Sequence, residues 1–232
     1  MTTLTLAEEF LLLVLKDETG KPMVDGQKTA AGLAGAAVVE LTMDGALRLS
    51  GEGEPGVKKG RLIVTGGTPR DRRLASLLEV VDGRKPKDAV SKVSGVSAWR
   101  NRSKDLKEAL LQDLAEQGLL VEEKGKALGL FPTTAWKQGD PGVEQEIVQR
   151  VRAAVVDGAE PDPRTAALIA LLFAVDVLKK LYPDADRKAL KRRAKEISEA
   201  EWGGEAVRKA VQEVQAATMT AVVAVTTTTS SS

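Results

Sequence analysis

The apolar positions of this chain fall mostly at helical spacing. Thr5-Leu6-Ala7-Glu8 has the form of a capping box, in which the Thr hydroxyl accepts from the Glu8 backbone and the Glu side chain reaches back. The run Glu9 to Leu15 then predicts a first helix, ended by Lys16 to Gly20. Ala30 to Thr42 predicts a second helix, whose Gly32, Ala34 and Gly35 would let another backbone pack close. Leu74, Leu77, Leu78 and Val81 predict one amphipathic helix over Arg70 to Val81, and Asp88 to Val96 a short one. Leu106, Leu110, Leu111 and Leu114 keep one face over Ser103 to Gln117, with Gly118 as the cap. Val143 to Val156, Asp186 to Ile197 and Ala206 to Val225 complete the helical set. The stretch from Pro161 and Pro163 to Tyr182, stopped by Pro183, is apolar on all sides and predicts a buried central helix. Leu168, Ile169, Leu171 and Leu172 should be almost fully buried.

Two segments break the helical pattern. Ala46 to Leu49 and Arg61 to Val64 alternate around a Gly-rich stretch and predict a short hairpin. Leu119 to Val121 and Leu128 to Phe131 flank Glu122 to Lys126, predicting a second hairpin over Val121 to Phe131 with its turn near Lys124-Gly125. The predicted class is therefore mainly α: a helical bundle around a buried central helix, with short β-hairpins. There is no internal repeat and no linker long enough to split the chain. One domain is expected over 1–225, followed by a disordered low-complexity tail over 226–232.

Composition removes whole classes of chemistry. The 232 residues contain no His and no Cys. Ser-His and Cys-His nucleophiles, His-dependent zinc sites and disulfides are excluded with them. No cofactor or metal is implied, and the expectation is a protein that is not an enzyme. Aromatics are 3%, so the core must be aliphatic, which favours helix. With 34 Lys+Arg against 33 Asp+Glu, the net charge of +1 names no partner. The Ala, Val and Gly richness points to a bacterial source. No basic stretch precedes the first apolar run, so it is not read as a signal peptide. The apolar run Thr165 to Val175 falls short of the roughly 20 residues that a bilayer span needs. The expected location is the cytoplasm, or the inner face of the cell membrane as a peripheral protein.

Four segments in fixed order resemble the Golgi phosphoprotein 3-like family: Leu4 to Lys21, Gly32 to Leu49, Leu110 to Trp136 and Asp162 to Leu178. The resemblance implies a mainly α bundle with a projecting hairpin. It also implies a peripheral membrane adaptor that binds phosphatidylinositol 4-phosphate, with the hairpin serving membrane contact and self-association. The family's pocket uses an aromatic in the loop after the first helix, an Arg in a Gly-Leu-Arg-Gly turn, and two Arg three apart at a later helix start. Here the aromatic position falls near Asp25, and the turn reads Gly32-Leu33-Ala34-Gly35, so its Arg is Ala34. The paired cations are Lys104 and Lys107. Lys is a point charge and not a bidentate fork, so a broader anionic phospholipid is the implied partner. The resemblance places the head group between Lys104 and Lys107, with Arg100 or Arg102 assisting and Ala34 as the floor. Leu128, Leu130 and Phe131 form the implied membrane or partner tip.

Each feature has a plainer reading. The cations Arg100, Arg102, Lys104 and Lys107 could form a phosphate cradle at a helix start or a solvated face weakened by Asp105. Arg187 to Lys195 carries six cations, which could meet an anionic membrane but read better as the outer face of a bundle helix. Gly66-Gly67-Thr68 follows a strand yet lacks the Gly-Lys-Thr of a phosphate loop. Glu8-Glu9 is explained by capping and helix-dipole preference, not by acid-base work. Two rival functions remain at this point. One is a protein-interaction scaffold without a lipid ligand. The other is a winged-helix-like nucleic-acid binder, opposed by Asp105, Glu108, Asp113 and Glu116 on the helix that would read the duplex. No nucleic-acid partner is expected.

Overall fold

The computed structural model describes residues 4–95, 102–127, 131–200 and 205–228. The first half of the chain runs α1 (Leu6–Val14), α2 (Gly26–Met43), β1 (Leu47–Leu49), β2 (Leu62–Val64), α3 (Arg72–Ala75), α4 (Leu78–Val81) and α5 (Pro86–Ser94). The second half runs α6 (Arg102–Glu116), β3 (Leu120–Ala127), β4 (Phe131–Gln138), α7 (Pro141–Val155), α8 (Pro163–Ala174), α9 (Leu178–Leu181), α10 (Arg187–Glu199) and α11 (Glu205–Thr228). The architecture is mainly helical, with two antiparallel two-stranded sheets, β1-β2 and β3-β4.

The centre of the bundle is shared by α8 and α2. Leu168, Ile169, Leu171 and Leu172 are all at 0% exposure, as the all-round apolar pattern requires. In α2 every residue from Ala31 to Thr42 is buried, and the helix packs on α1, α5, α8 and α11. Small side chains make this crowding feasible. A Cβ on Gly32 would overlap the Phe10 ring, and one on Gly35 would lie 2.8 Å from Thr218 Oγ1 and 2.9 Å from Leu171 Cδ2. The two glycines are thus close-approach positions, where α1 and then α8 and α11 press against the α2 backbone.

Polar groups also enter this core. The capping box of α1 forms as its sequence demands, Thr5 N donating to Glu8 Oε2 at 2.7 Å and Glu8 N to Thr5 Oγ1 at 3.2 Å. Glu8, Glu9 and Glu40 are nevertheless buried. Each is met by a cation from a distant segment. Arg164 donates to Glu9 at 3.1 Å, to Glu40 at 3.1 Å and to the Leu4 carbonyl at 2.5 Å. Arg150 reaches Glu9 at 2.9 Å, and Arg73 reaches Glu8 at 2.9 Å. Glu40 also accepts from Leu6 N at 2.5 Å.

Several elements differ from their sequence-based expectation. Helix α2 starts at Gly26, not Ala30, because the exposed Asp25 side chain caps it through Gln27 N (3.1 Å) and Lys28 N (2.8 Å). The expected Gly32 to Gly35 turn is the interior of that helix. The single helix expected over Arg70 to Val81 is two short ones, α3 and α4, joined by a tight turn in which Leu77 N donates to Leu74 O. Leu74, Leu77 and Val81 stay buried, so the apolar spacing survives the break. The helix expected to run on to Tyr182 is interrupted after Ala174. Asp176 takes a left-handed backbone (φ 59°), which a short polar side chain tolerates, and its carboxylate is held by Lys179 at 2.7 Å. At the other end of the chain, α11 continues through Thr228, three residues into the segment expected to be a frayed tail.

The second hairpin is longer than expected and turns elsewhere. Lys124 and Gly125 lie mid-strand, paired with Thr134 and Thr133, and the ladder continues to Ala127 opposite Phe131. The expected turn at Lys124-Gly125 is therefore incorrect: a Lys-Gly pair permits a turn, but cross-strand pairing over eight residue pairs overrides it. The connecting residues 128–130 lie outside the described part.

Two outcomes test this packing. Arg164→Met should lower stability by about 3 kcal/mol, since it leaves the buried Glu40 with no cation and Glu9 with Arg150 alone, and a urea denaturation midpoint would read it. An unchanged midpoint would mean the clamp contributes nothing net. Gly32→Ala should destabilise by about 1–3 kcal/mol through overlap with Phe10. Gly26→Ala, with open space at its Cβ, should instead stabilise by about 0.5 kcal/mol.

Candidate functional site

Helix α6 positions the cations that the sequence singled out. Leu106, Leu110, Leu111 and Leu114 are buried and fasten the helix to the body. Their spacing fixes which side chains remain outside. Lys104 is exposed and lies 3.9 Å from Glu108, a loose pair one turn on. Lys107 is half-buried, and among the described residues no hydrogen bond or ion pair reaches its amine. Burial pushes its pKa below the ordinary lysine value, with the Glu108 charge opposing that shift. An amine in this position has lost part of its water without gaining a direct ion pair.

The other expected site residues are placed as follows. Arg102 opens α6, with its side chain outside the described part, and Arg100 lies outside the described residues altogether. Ala34 is at 0% exposure inside α2, so it does not floor an open hollow. Asp25 is exposed and committed to capping α2. Phe131 starts β4, its side chain undescribed, and Leu128 and Leu130 lie outside the described residues. Along the outer part of β3, Val121 to Gly125 are exposed one after another. Successive strand residues point to opposite faces, so both faces of this part of β3 meet solvent, while Trp136, opposite Glu122 on β4, packs against the core. Its root is fastened by Gly139 N to Leu119 O at 2.9 Å, Gln138 N to Asp17 O at 3.3 Å, and Gly20 against the Trp136 backbone.

A hollow of about 460 Å³ borders α6, lined by Arg73, Leu77, Glu79, Val80, Asp105 and Ala109 among others. It is not a cradle for Lys104 and Lys107. At 3.6 residues per turn those two lie on the flank of α6 opposite Asp105 and Ala109. Arg73, the one cation in the hollow, is consumed by Asp71 at 2.5 Å, Glu8 at 2.9 Å and Asp113 at 3.2 Å. Burial is also what raises the Glu8 carboxyl above its usual range, against the bonds from Thr5 and Arg73 that lower it.

Sequence reasoning missed these buried ion groups. It read Glu8-Glu9 as a capped helix start, correctly for Glu8, but gave neither residue a partner. One signal was available. Glu40 sits inside Val38-Val39-Glu40-Leu41, an acid where every neighbour is apolar, and such a residue must find a cation. Which cation it finds depends on Arg164, 124 positions away, and no local pattern shows that.

A family model described as Golgi phosphoprotein 3 (GPP34) matches residues 6–214, from the first residue of α1 to within α11. The chain belongs to the Golgi phosphoprotein 3 (GPP34) family.

Proposed function

We propose that this protein is a non-catalytic, membrane-peripheral protein that binds an anionic lipid head group at the start of α6. The observation that carries the reading is Lys107, a half-buried amine with no hydrogen bond or ion pair among the described residues, whose burial outweighs the nearby Glu108 charge. A phosphate there would restore the electrostatic partner that burial removed, and Lys104 on the same flank would add a second point charge. The absence of His and Cys supports a binding role over catalysis. No helix among the described residues is long and apolar enough to cross a membrane, which is compatible with peripheral attachment. The buried Ala34 and the helix-capping Asp25 supply neither the cation nor the aromatic of the family's pocket. Affinity should accordingly be weak and tolerant of head-group type. Exposed charges are screened over about 8 Å at physiological salt, so binding should also fall steeply as salt rises.

The same two absences favour a second reading, a scaffold that binds protein and no lipid. A duplex-reading role is disfavoured, because Asp105, Glu108 and Glu116 stand exposed on α6.

Flotation with phosphatidylglycerol vesicles separates these readings. Lys104→Glu with Lys107→Glu should lower flotation well below that of the unaltered protein while circular dichroism stays unchanged; full flotation of that variant would remove the α6 site, and an unaltered protein that does not float at all would leave the scaffold reading in place. Stability supplies an independent check. Lys107→Met should raise stability by about 1 kcal/mol, or about 2–4 °C in Tm for a chain of this size, while weakening head-group binding. The pH dependence has a definite sign. The folded-state pKa of Lys107 is depressed, so the unfolded chain binds the proton more tightly and stability rises with pH between the depressed value and the ordinary one. The advantage of Lys107→Met should therefore shrink as pH is raised through that window. A constant difference in Tm would show that Lys107 is not desolvated.

A further inference from the structure

Helix α10 shows the solvent a cationic face. Arg187, Lys188, Lys191, Arg192 and Lys195 are exposed, while Leu190, Ala194 and Ile197 are buried on the opposite side. Its own carboxylates gather at the far end, where Glu196 lies 3.7 Å from Arg192 and Glu199 lies 3.8 Å from Lys195. Lys191 reaches Asp176 only at 3.7 Å. Arg187 and Lys188 have no ion pair among the described residues. Both sit in the first turn of α10, where the helix dipole disfavours cations and where no acidic residue is present. The Asp186 cap on Ala189 N offsets part of that cost. The exposed Asp184 and Asp186 lie just ahead of the helix, but neither forms an ion pair with Arg187 or Lys188, so a cationic surface only partly compensated from within points outward, to an anion the protein meets.

A second observation says what kind of surface this anion belongs to. The cationic face runs into α9, where Lys179 meets Asp176 at 2.7 Å and the exposed Lys180 donates to the Met23 carbonyl. Met23 belongs to the loop between α1 and α2. That same loop grips the root of the β3-β4 hairpin, through Asp17 O to Gln138 N and Gly20 against Trp136. Lys180, at the α9 end of the cationic face, is therefore joined to the hairpin root through one loop. No exposed aromatic on α9 or α10 could stack a base.

We propose that the cationic face of α9 and α10 rests on the head groups of an anionic bilayer beside the hairpin root. The inference rests on reading the protein as membrane-peripheral, but not on the α6 head-group site. Because the apolar side of α10 is spent on the core, the contact is electrostatic and inserts nothing. It depends on the density of lipid charge and not on one head group, and it is weakened by salt.

The test compares unaltered full-length protein with Arg187→Gln/Lys188→Gln and with Lys104→Glu/Lys107→Glu. Each is floated with phosphatidylcholine vesicles of graded phosphatidylglycerol content, titrated with soluble glycerol phosphate, and tested for retention of a DNA duplex. The two glutamines replace exposed cations that oppose the helix dipole, so Tm should not fall. Vesicle affinity of Arg187→Gln/Lys188→Gln should drop about tenfold at low salt, a loss that disappears at high salt, with glycerol phosphate binding unchanged. Equal flotation of that variant and the unaltered protein overturns the inference and leaves the α6 site standing. Loss of glycerol phosphate binding to every form, with the tenfold vesicle effect intact, sinks the α6 site and supports the cationic face. Duplex retention that falls with the two glutamines, while flotation does not, overturns the proposal in favour of a nucleic-acid surface.

Discussion

Arg164 holds together parts of the chain that share no local sequence. Its guanidinium meets Glu9 of α1, Glu40 of α2 and the Leu4 carbonyl ahead of α1, from a position on the first turn of α8. The cluster is mostly shielded from water, so Glu40 depends on this cation for its charge to be tolerated, while Glu9 shares it with Arg150. Geometry follows from that dependence. The start of α1 is pinned to the last turn of α2 through Leu6 N and Glu40, and α7 joins through Arg150. Once these ends are fixed, Phe10 falls over Gly32 and the apolar faces of α1, α2 and α8 close on each other. Burying charge is a costly way to gain stability, but it specifies which helices meet and in what register.

The surface is the complement of this arrangement. Helix α6 is fastened by its leucines, which leaves Lys107 on the flank of the helix, partly dried and without an ion pair among the described residues. The contrast with Arg73 is instructive. Arg73 is half-buried too, yet it is surrounded by Asp71, Glu8 and Asp113. One cation is internal structure and the other is left facing outward, and only the neighbouring carboxylates distinguish them. The hairpin follows the same logic. Its root is held by backbone bonds to Asp17 and Leu119, while Val121 to Gly125 gain no cover on either face.

Much of the architecture could be read from the chain alone. The α1 capping box, the all-round apolar α8, the leucine face of α6 and both hairpins depend on contacts within a few residues or on a period of 3.6 or 2, and these are visible in sequence. The candidate site was legible only in part. Lys104 and Lys107 stood out as cations at a helix start, and the structure places them on one flank of α6, Lys104 exposed and Lys107 half-buried. The residue pattern put Gly32 to Gly35 inside a helix, as found, and only the turn implied by the resemblance is not there, because small residues suit a turn and a crowded helix equally well.

What the sequence determined by itself was therefore the identity and phase of the helices, the aliphatic core and the exclusion of His and Cys chemistry. Tertiary structure decided the rest. It broke the expected Arg70 to Val81 helix at Ser76-Leu77, ended α8 at a left-handed Asp176, and moved the hairpin turn past Ala127. It also sorted the ionisable groups, burying Glu40 with Arg164 and leaving Lys107 without an ion pair among the described residues. The reason is common to all of these. Whether a charge is satisfied, a helix interrupted or a strand extended depends on free-energy differences set by groups far away in the chain, and local pattern carries no information about those distances.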